Sequence, residues 1–163
     1  MCNDTAMTIE KISEDAIHIC ANEVLGTDFG KLYYPCVSIF IKILEEGNQN
    51  DFIFVAKQNE EIAGFIWFSV NTMFGKFPYL NLIFVFEKYR NKGVGKKLLQ
   101  HFEKTVFDMY KNPKLKVFLV VKNNNQNAIL FYKNNGYVSV GTIDGLFRAS
   151  VNEILMMKYM KYE

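Results

Sequence analysis

The sequence is short of the features that mark specialised chains. Its three cysteines, Cys2, Cys20 and Cys36, form no CxxC pair and lie scattered along the chain. Neither a disulfide framework nor a metal site is therefore expected. An odd, scattered set reads as reduced thiols in a cytosol, with Cys20 in the core and Cys2 at a frayed terminus. There are 2 histidines, of which His18 has no partner pattern and His101 is expected at the surface of a helix. The net charge of +2 is too small for a nucleic-acid binder, whose affinity rests on clustered basic residues. The longest apolar stretches, such as Ile62 to Val70, are too short to cross a bilayer, so no membrane partner is expected. The start, Met1-Cys2-Asn3-Asp4-Thr5, has neither a basic n-region nor an apolar h-region. No signal peptide is expected, and the expected location, from the thiols, is cytoplasmic. No repeat, low-complexity tract or linker interrupts the chain.

What is present is a chain of 163 residues, half of them hydrophobic and 22% charged. That is one domain of ordinary globular composition, long enough to bury a core. With 15 Phe and 9 Tyr, no lone aromatic carries an argument, because most must be core. Thr8 to Ile12 alternates as a short strand. Ser13 then offers an N-cap, with Glu14 and Asp15 in the first turn, to a helix ending at Gly26. A second helix is predicted to start at Pro35 and to end before Gly47. Residues 52–57 and 62–73 read as a hairpin about Gln58-Asn59-Glu60-Glu61, and 79–86 as a third strong strand. Val94, Leu98, Phe102, Val106 and Met109 recur at helical spacing. Leu115 to Val121 is an apolar run suited to a strand covered on both faces. A short helix from Asn125 to Gly136 and strands at 137–142 and 152–160 complete a mixed α/β order, with a βαβ unit over 79–121.

Between the strand ending at Val85 and the helix beginning near Val94 lies Arg90-Asn91-Lys92-Gly93-Val94-Gly95. Glycine lets a backbone approach an anion closely. The free N–H groups of a helix's first turn, aided by its dipole, hold negative charge. Lys92, Lys96 and Lys97 add positive charge. A Walker A loop is absent, and a dinucleotide fingerprint lacks its third glycine. Asp28-Phe29-Gly30 looks like a kinase triplet, but no accompanying kinase block is present.

In context, Arg90, Gly93 and Gly95, with Val85 five residues before Arg90, resemble the central [RQ]-x-x-G-x-[GA] motif of the GNAT superfamily of N-acetyltransferases. A second stretch, Asn125, Ala128, Tyr132 and Gly136-Tyr137, resembles the family's N-x-x-A-x-x-x-Y-x-x-x-G-[FY] block at the same spacing. The two motifs lie within residues 79–142.

The resemblance implies an α/β (α+β) fold in one N-acetyltransferase-like domain over 1–163. Its sheet would be mixed and mostly antiparallel, flanked by helices and splayed between the fourth and fifth strands, with acetyl-CoA in the gap. Carried over by position, the backbone at Phe84 and Val85 would pair with the pantetheine arm and acetyl carbonyl. The amides from Arg90 through Lys96 (Arg90, Asn91, Lys92, Gly93, Val94, Gly95, Lys96) would bind the pyrophosphate. Asn125 would hydrogen-bond the pantetheine side, or serve as a helix N-cap. The acceptor would be a primary amine of a small molecule or peptide, and a homodimer is compatible with the pattern.

Amine attack on a thioester needs three provisions. The Val85 N–H could stabilise the oxyanion. Tyr132 holds the position of the acid that protonates the leaving thiolate, and a phenol near pKa ~10 suits a thiol of pKa ~8.5. The base is unassigned, because Asn81 stands where many relatives carry glutamate. A water chain, a carboxylate from elsewhere or an already neutral amine could serve. A non-catalytic acyl-CoA-binding regulatory or interaction module is the alternative. The acceptor segments, about 22–46 and 142–152, mix Tyr33, Tyr34, Phe40 and Phe147 with Asp144 and Arg148, and select no acceptor.

Overall fold

The computed structural model describes residues 6–161; Cys2 lies outside them. Element order is β1 (Met7–Lys11), α1 (Glu14–Leu25), α2 (Asp28–Tyr33), α3 (Val37–Asn50), β2 (Phe52–Gln58), β3 (Glu61–Met73), β4 (Phe77–Val85), a 3-10 turn (Glu87–Tyr89), α4 (Val94–Tyr110), β5 (Lys116–Lys122), α5 (Gln126–Asn134), β6 (Val138–Asp144) and β7 (Asn152–Tyr159). The seven strands form one mixed sheet in the order β1-β2-β3-β4-β5-β7-β6. Pairing is antiparallel for β1 with β2, β2 with β3, and β7 with both β5 and β6. The pair β4 and β5 is parallel, as the α4 crossover requires. Its register runs through Tyr79↔Phe118 and Leu80↔Leu119, while β4 itself continues to Val85.

The chain packs as two compact units, with β3, β4 and α4 contributing to both. The first comprises residues up to Phe68 and Leu82–Phe102. Here α1 starts as expected, with Ser13 Oγ accepting from the Ala16 amide at 3.3 Å. Its apolar stripe of Ala16, Ile17, Cys20, Ala21 and Val24 is buried. The β2–β3 hairpin closes on Asn59 and Glu60, both left-handed (φ 51 and 64), as a two-residue turn matched to strand twist demands.

The second helix departs from the expectation. It begins at Val37, with extended Cys36 as its N-cap, and runs through Gly47 to Asn50. Gly47 is a packing contact, not a stop: a Cβ there would lie 3.0 Å from the Trp67 ring. The Trp67 Nε1–H donates to Asp51 Oδ2 at 2.9 Å just past the helix. The short α2 was not anticipated. Thr27 Oγ1 caps it by accepting from the Gly30 amide, and a Cβ on Gly30 would sit 2.0 Å from the Val24 carbonyl oxygen. That contact accounts for the glycine in Asp28-Phe29-Gly30. Phe40, grouped above with acceptor residues, is fully buried and stacks on Tyr34 at 3.9 Å, so it belongs to the core.

The second unit comprises Ser69–Asn81 and residues from Glu103 onward. Its centre is the β5–β7–β6 antiparallel ribbon, with Val117, Leu119 and Met156 buried. Gly136 leaves α5 at φ +89. The Gly136 amide donates to the Lys133 carbonyl, and the Tyr137 amide to the Tyr132 carbonyl, both at 3.0 Å. This is a Schellman close, which needs a left-handed residue at that position.

Candidate functional site

In the first unit, β4 ends at Val85 and the chain turns sharply. The Phe86 N–H returns to the Ala63 carbonyl of β3 at 2.9 Å. Because backbone groups alternate along a strand, those of Val85 face the other edge of β4. The Phe84 carbonyl lies against Gly64 on β3. Arg90 Nε donates to the Val85 carbonyl at 3.3 Å, folding the arginine back over the strand end.

Asn91 and Gly93 are both left-handed, at φ 58 and 78. The space a Gly93 side chain would fill is open. Arg90, Asn91, Lys92, Gly93, Lys96 and Lys97 are exposed, whereas Val94 is buried and anchors the helix start. The first α4 bond that closes back on the turn is Lys97 N–H to the Gly93 carbonyl at 3.1 Å. The amides of Val94, Gly95 and Lys96 thus precede the helical ladder and point out of the helix end. With the helix dipole and the flanking lysines they form a cradle for an anion.

Sequence reasoning missed what holds this turn in place. Tyr89 is buried, and its hydroxyl donates to Glu61 Oε2 at 2.5 Å. Lys88 Nζ donates to the same oxygen at 2.6 Å. Hydrogen bonds from Lys88 and then Tyr89 hold the Glu61 carboxyl below its ordinary value. The bond to Glu61, then burial, raises Tyr89. The Lys92 ammonium sits 5.7 Å over the Tyr89 ring. Glu23, Glu61, Ile62, Phe86 and Lys88 line a cavity of about 540 Å³ beside Tyr89. These contacts join β3 to the turn across 28 residues, a distance no local pattern spans.

In the second unit, Asn125 does serve as the α5 N-cap: its Oδ1 accepts from the Ala128 amide at 3.1 Å. The side chain is exposed, and its amide nitrogen carries the remaining donors. Tyr132 is buried on α5, edge-on to Phe131 at 5.2 Å and to Tyr137 at 5.6 Å. Burial, then the neighbouring Tyr79, pushes its phenol far above the usual range. Behind it, Tyr137 is also raised by burial and by Glu103. Glu103 is paired to Lys158 at 2.8 Å, and the Lys158 ammonium lies 5.7 Å over the Tyr137 ring. Asn81 Nδ2 donates to Ser69 Oγ at 3.3 Å; an amide so placed accepts no proton.

The histidines lie elsewhere. His18 is exposed. His101 is not a plain surface residue: it is half-buried, edge-on to Phe54 at 4.5 Å, and burial lowers its pKa. Among the described residues no group of three or more His, Cys, Asp or Glu is placed to hold a metal. Cys20 is buried and its thiol is pushed up to about 12, while Cys36 is exposed and its thiol is lowered first by the Ser38 hydroxyl.

The acetyltransferase (GNAT) family matches residues 20–137, a span that contains both motifs. The chain belongs to the GNAT acetyltransferase family. No curated protein matches it. Among solved structures, Ard1 from Thermoplasma volcanium superposes with a TM-score of 0.78 at 24% identity, covering 97% of this chain and 99% of that one. A ribosomal-protein alanine N-acetyltransferase from Escherichia coli gives 0.75 at 17% identity, over 97% and 96%. A Bacillus anthracis protein solved in complex with acetyl coenzyme A gives 0.58 at 29% identity, over 69% of this chain and 64% of that one. The first two show the same fold. GNAT acetyltransferases use acetyl-CoA. This GNAT chain is accordingly an acetyl-CoA-dependent acetyltransferase. No helix among the described residues is long and apolar enough to cross a membrane.

Proposed function

We propose that the protein is an N-acetyltransferase acting by direct attack of a primary amine, on a small molecule or a peptide, with Tyr132 as the acid. The observation that carries this reading is the place of Tyr132 on the helix that opens at Asn125, its ring buried beside Phe131 and Tyr137; burial raises the phenol, so its hydroxyl acts as a hydrogen-bond donor to the departing sulfur. A neutral phenol is a donor suited to a leaving thiolate.

Bound acetyl-CoA supplies an activated acyl thioester. The amides from Arg90 through Lys96 grip its pyrophosphate, and Lys92 and Lys96 neutralise charge. The Asn125 amide donates to the pantetheine side while its oxygen keeps the cap. The backbone of Val85, which faces away from β3, would align the acyl arm, and its N–H would meet the developing oxyanion; the Phe84 carbonyl is turned to Gly64 on β3 and would not take part. Tyr132 delivers its proton to sulfur. The fold-level likeness to an alanine N-acetyltransferase supports an amine acceptor.

Thiol release from acetyl-CoA across a panel of primary amines tests the reading. The expected result is release that depends on amine and falls steeply in Tyr132→Phe. The second reading, an acyl-CoA-binding module without turnover, is favoured by one observation: Asn81 is an amide tied to Ser69 and not a base. Coenzyme A binding with no thiol release from any amine would establish it.

A further inference from the structure

The span from Glu87 to Lys92 runs between two fixed points. Phe86 before it is buried, with its amide bonded to Ala63, and Val94 after it is buried. Within the span Tyr89 is buried and the rest is exposed. Packing does little to fix it. A cavity of about 540 Å³ is lined by Glu87, Lys88 and Tyr89 from the span and by Glu23, Glu61 and Ile62 from α1 and β3. Atoms that face a void have no partners on that side.

Hydrogen bonds place the span instead. The Tyr89 and Arg90 amides close onto Phe86 and Glu87, inside the turn. Arg90 Nε returns to Val85, the strand end from which the turn starts. The bonds from the Tyr89 hydroxyl and the Lys88 ammonium to Glu61 Oε2 are the ones that cross to β3. Glu61 is the first residue of that strand. It pairs with Gln58 across the left-handed Asn59 and Glu60, so the hairpin fixes its backbone.

Tyr89 carries this anchorage into the anion turn. The Lys92 and Lys88 ammoniums lie 5.7 and 5.2 Å from the centroid of its ring. A hydroxyl that donates to a carboxylate leaves the ring more electron-rich, and the ring then attracts a cation more strongly. Lys92 directly precedes Gly93. A cation held in advance on this turn loses less freedom when an anion arrives.

We propose that Glu61 is a positioning residue for the cofactor: through Tyr89 it holds the turn and the Lys92 ammonium ready for the acetyl-CoA pyrophosphate. This rests on the assignment of the pyrophosphate to residues 90–96 and deepens it, because it names a side chain outside the turn that sets cofactor affinity. Glu61 acts on binding and not on the acyl-transfer step.

The test is coenzyme A affinity of the full chain by calorimetry, with thermal unfolding alongside. Glu61→Ala and Tyr89→Phe should each weaken coenzyme A roughly threefold to tenfold, the usual effect of one lost hydrogen bond. The double variant should be no weaker than the weaker single, because the two residues act in series. Glu61→Gln keeps an acceptor for the Tyr89 hydroxyl and should recover most of the affinity. The thermal midpoint of Glu61→Ala should stay near wild type, since the Lys88 and Glu61 side chains are 68% and 61% exposed. With any amine that the wild type acetylates, KM for acetyl-CoA should rise while kcat holds. Wild-type affinity in Glu61→Ala would overturn the proposal. So would additive losses in the double variant, or affinity lost only together with the thermal midpoint, which makes Glu61 a packing element. Gly93→Asp separates this role from the reading it rests on. If that variant binds coenzyme A like wild type, the turn is not the pyrophosphate site and both fall. If it loses binding while Glu61→Ala keeps it, the Glu61 role alone falls.

Discussion

A Cβ on Gly64 would lie 2.5 Å from the carbonyl oxygen of Phe84 and 3.0 Å from the Cα of Val85. At this point β3 and β4 meet backbone to backbone, at the strand end that leads into the anion turn. Gly64→Ala must push β4 away. The expected cost is about 1–3 kcal/mol, the usual range for overpacking a buried site. Thermal unfolding should register it as a lowered midpoint, and calorimetry as weaker coenzyme A binding. A variant that melts and binds like wild type would show that the close approach constrains nothing.

Gly93 separates backbone strain from electrostatics. Its φ of +78 is unfavourable for any side chain, but no atom stands in the way of one. Gly93→Ala should therefore cost about 1 kcal/mol in stability and little in coenzyme A affinity. Gly93→Asp adds a negative charge where phosphate oxygens are to sit, and affinity should fall a further tenfold or more, a loss of about 1.4 kcal/mol. Equal affinities in the two variants, measured by calorimetry, would remove the pyrophosphate from this turn.

Replacing Tyr132 by Phe removes one hydroxyl and keeps the ring packed against Phe131 and Tyr137. The expected effect is a fall in kcat of about 10²-fold or more with coenzyme A affinity kept. Burial raises the folded phenol above its ordinary value of 10.0. Its contribution to stability is therefore complete below about pH 10 and is lost as pH climbs through the folded value. No descending limb of kcat from this phenol should appear below about pH 10. Wild-type turnover in Tyr132→Phe would dismiss it as the acid.

His101 has the opposite sign. Burial beside Phe54 lowers its pKa from 6.5, so the folded chain binds its proton less readily than the unfolded chain does. Stability from this residue is present above that value and declines as pH falls below it. The decline should be shallow, because the ring is only half-buried. Thermal midpoints from pH 7.5 down to 5.5, compared with those of His101→Phe, check it. Parallel curves for the two proteins would show that His101 does not titrate against folding.

Some of this molecule is legible because its causes are local. Ser13 ahead of Glu14-Asp15, the two-residue turn Asn59-Glu60, and Gly136 closing α5 each act within one turn of chain. The periodicities of β4, α4 and β5 are equally short in range, and the parallel β4–β5 pair follows from them. The spacing of Arg90 to Gly95, and of Asn125 to Tyr137, could be read because a tight turn into a helix and a capped helix are built from consecutive residues.

What the sequence determined alone is thus the order of the elements apart from the short α2, and the family to which the chain belongs. What only the tertiary structure decided is the meaning of single residues. Gly47 could stop a helix or admit a tryptophan, and Trp67 settles it. Phe40 and His101 could face solvent or core. Glu61 reads as a turn residue until Tyr89 and Lys88 close on it. Glu153 is one more acid until β5 and β6 flank it. Burial and partnership are set by strands far apart in the chain, and local pattern carries no record of which neighbour will arrive.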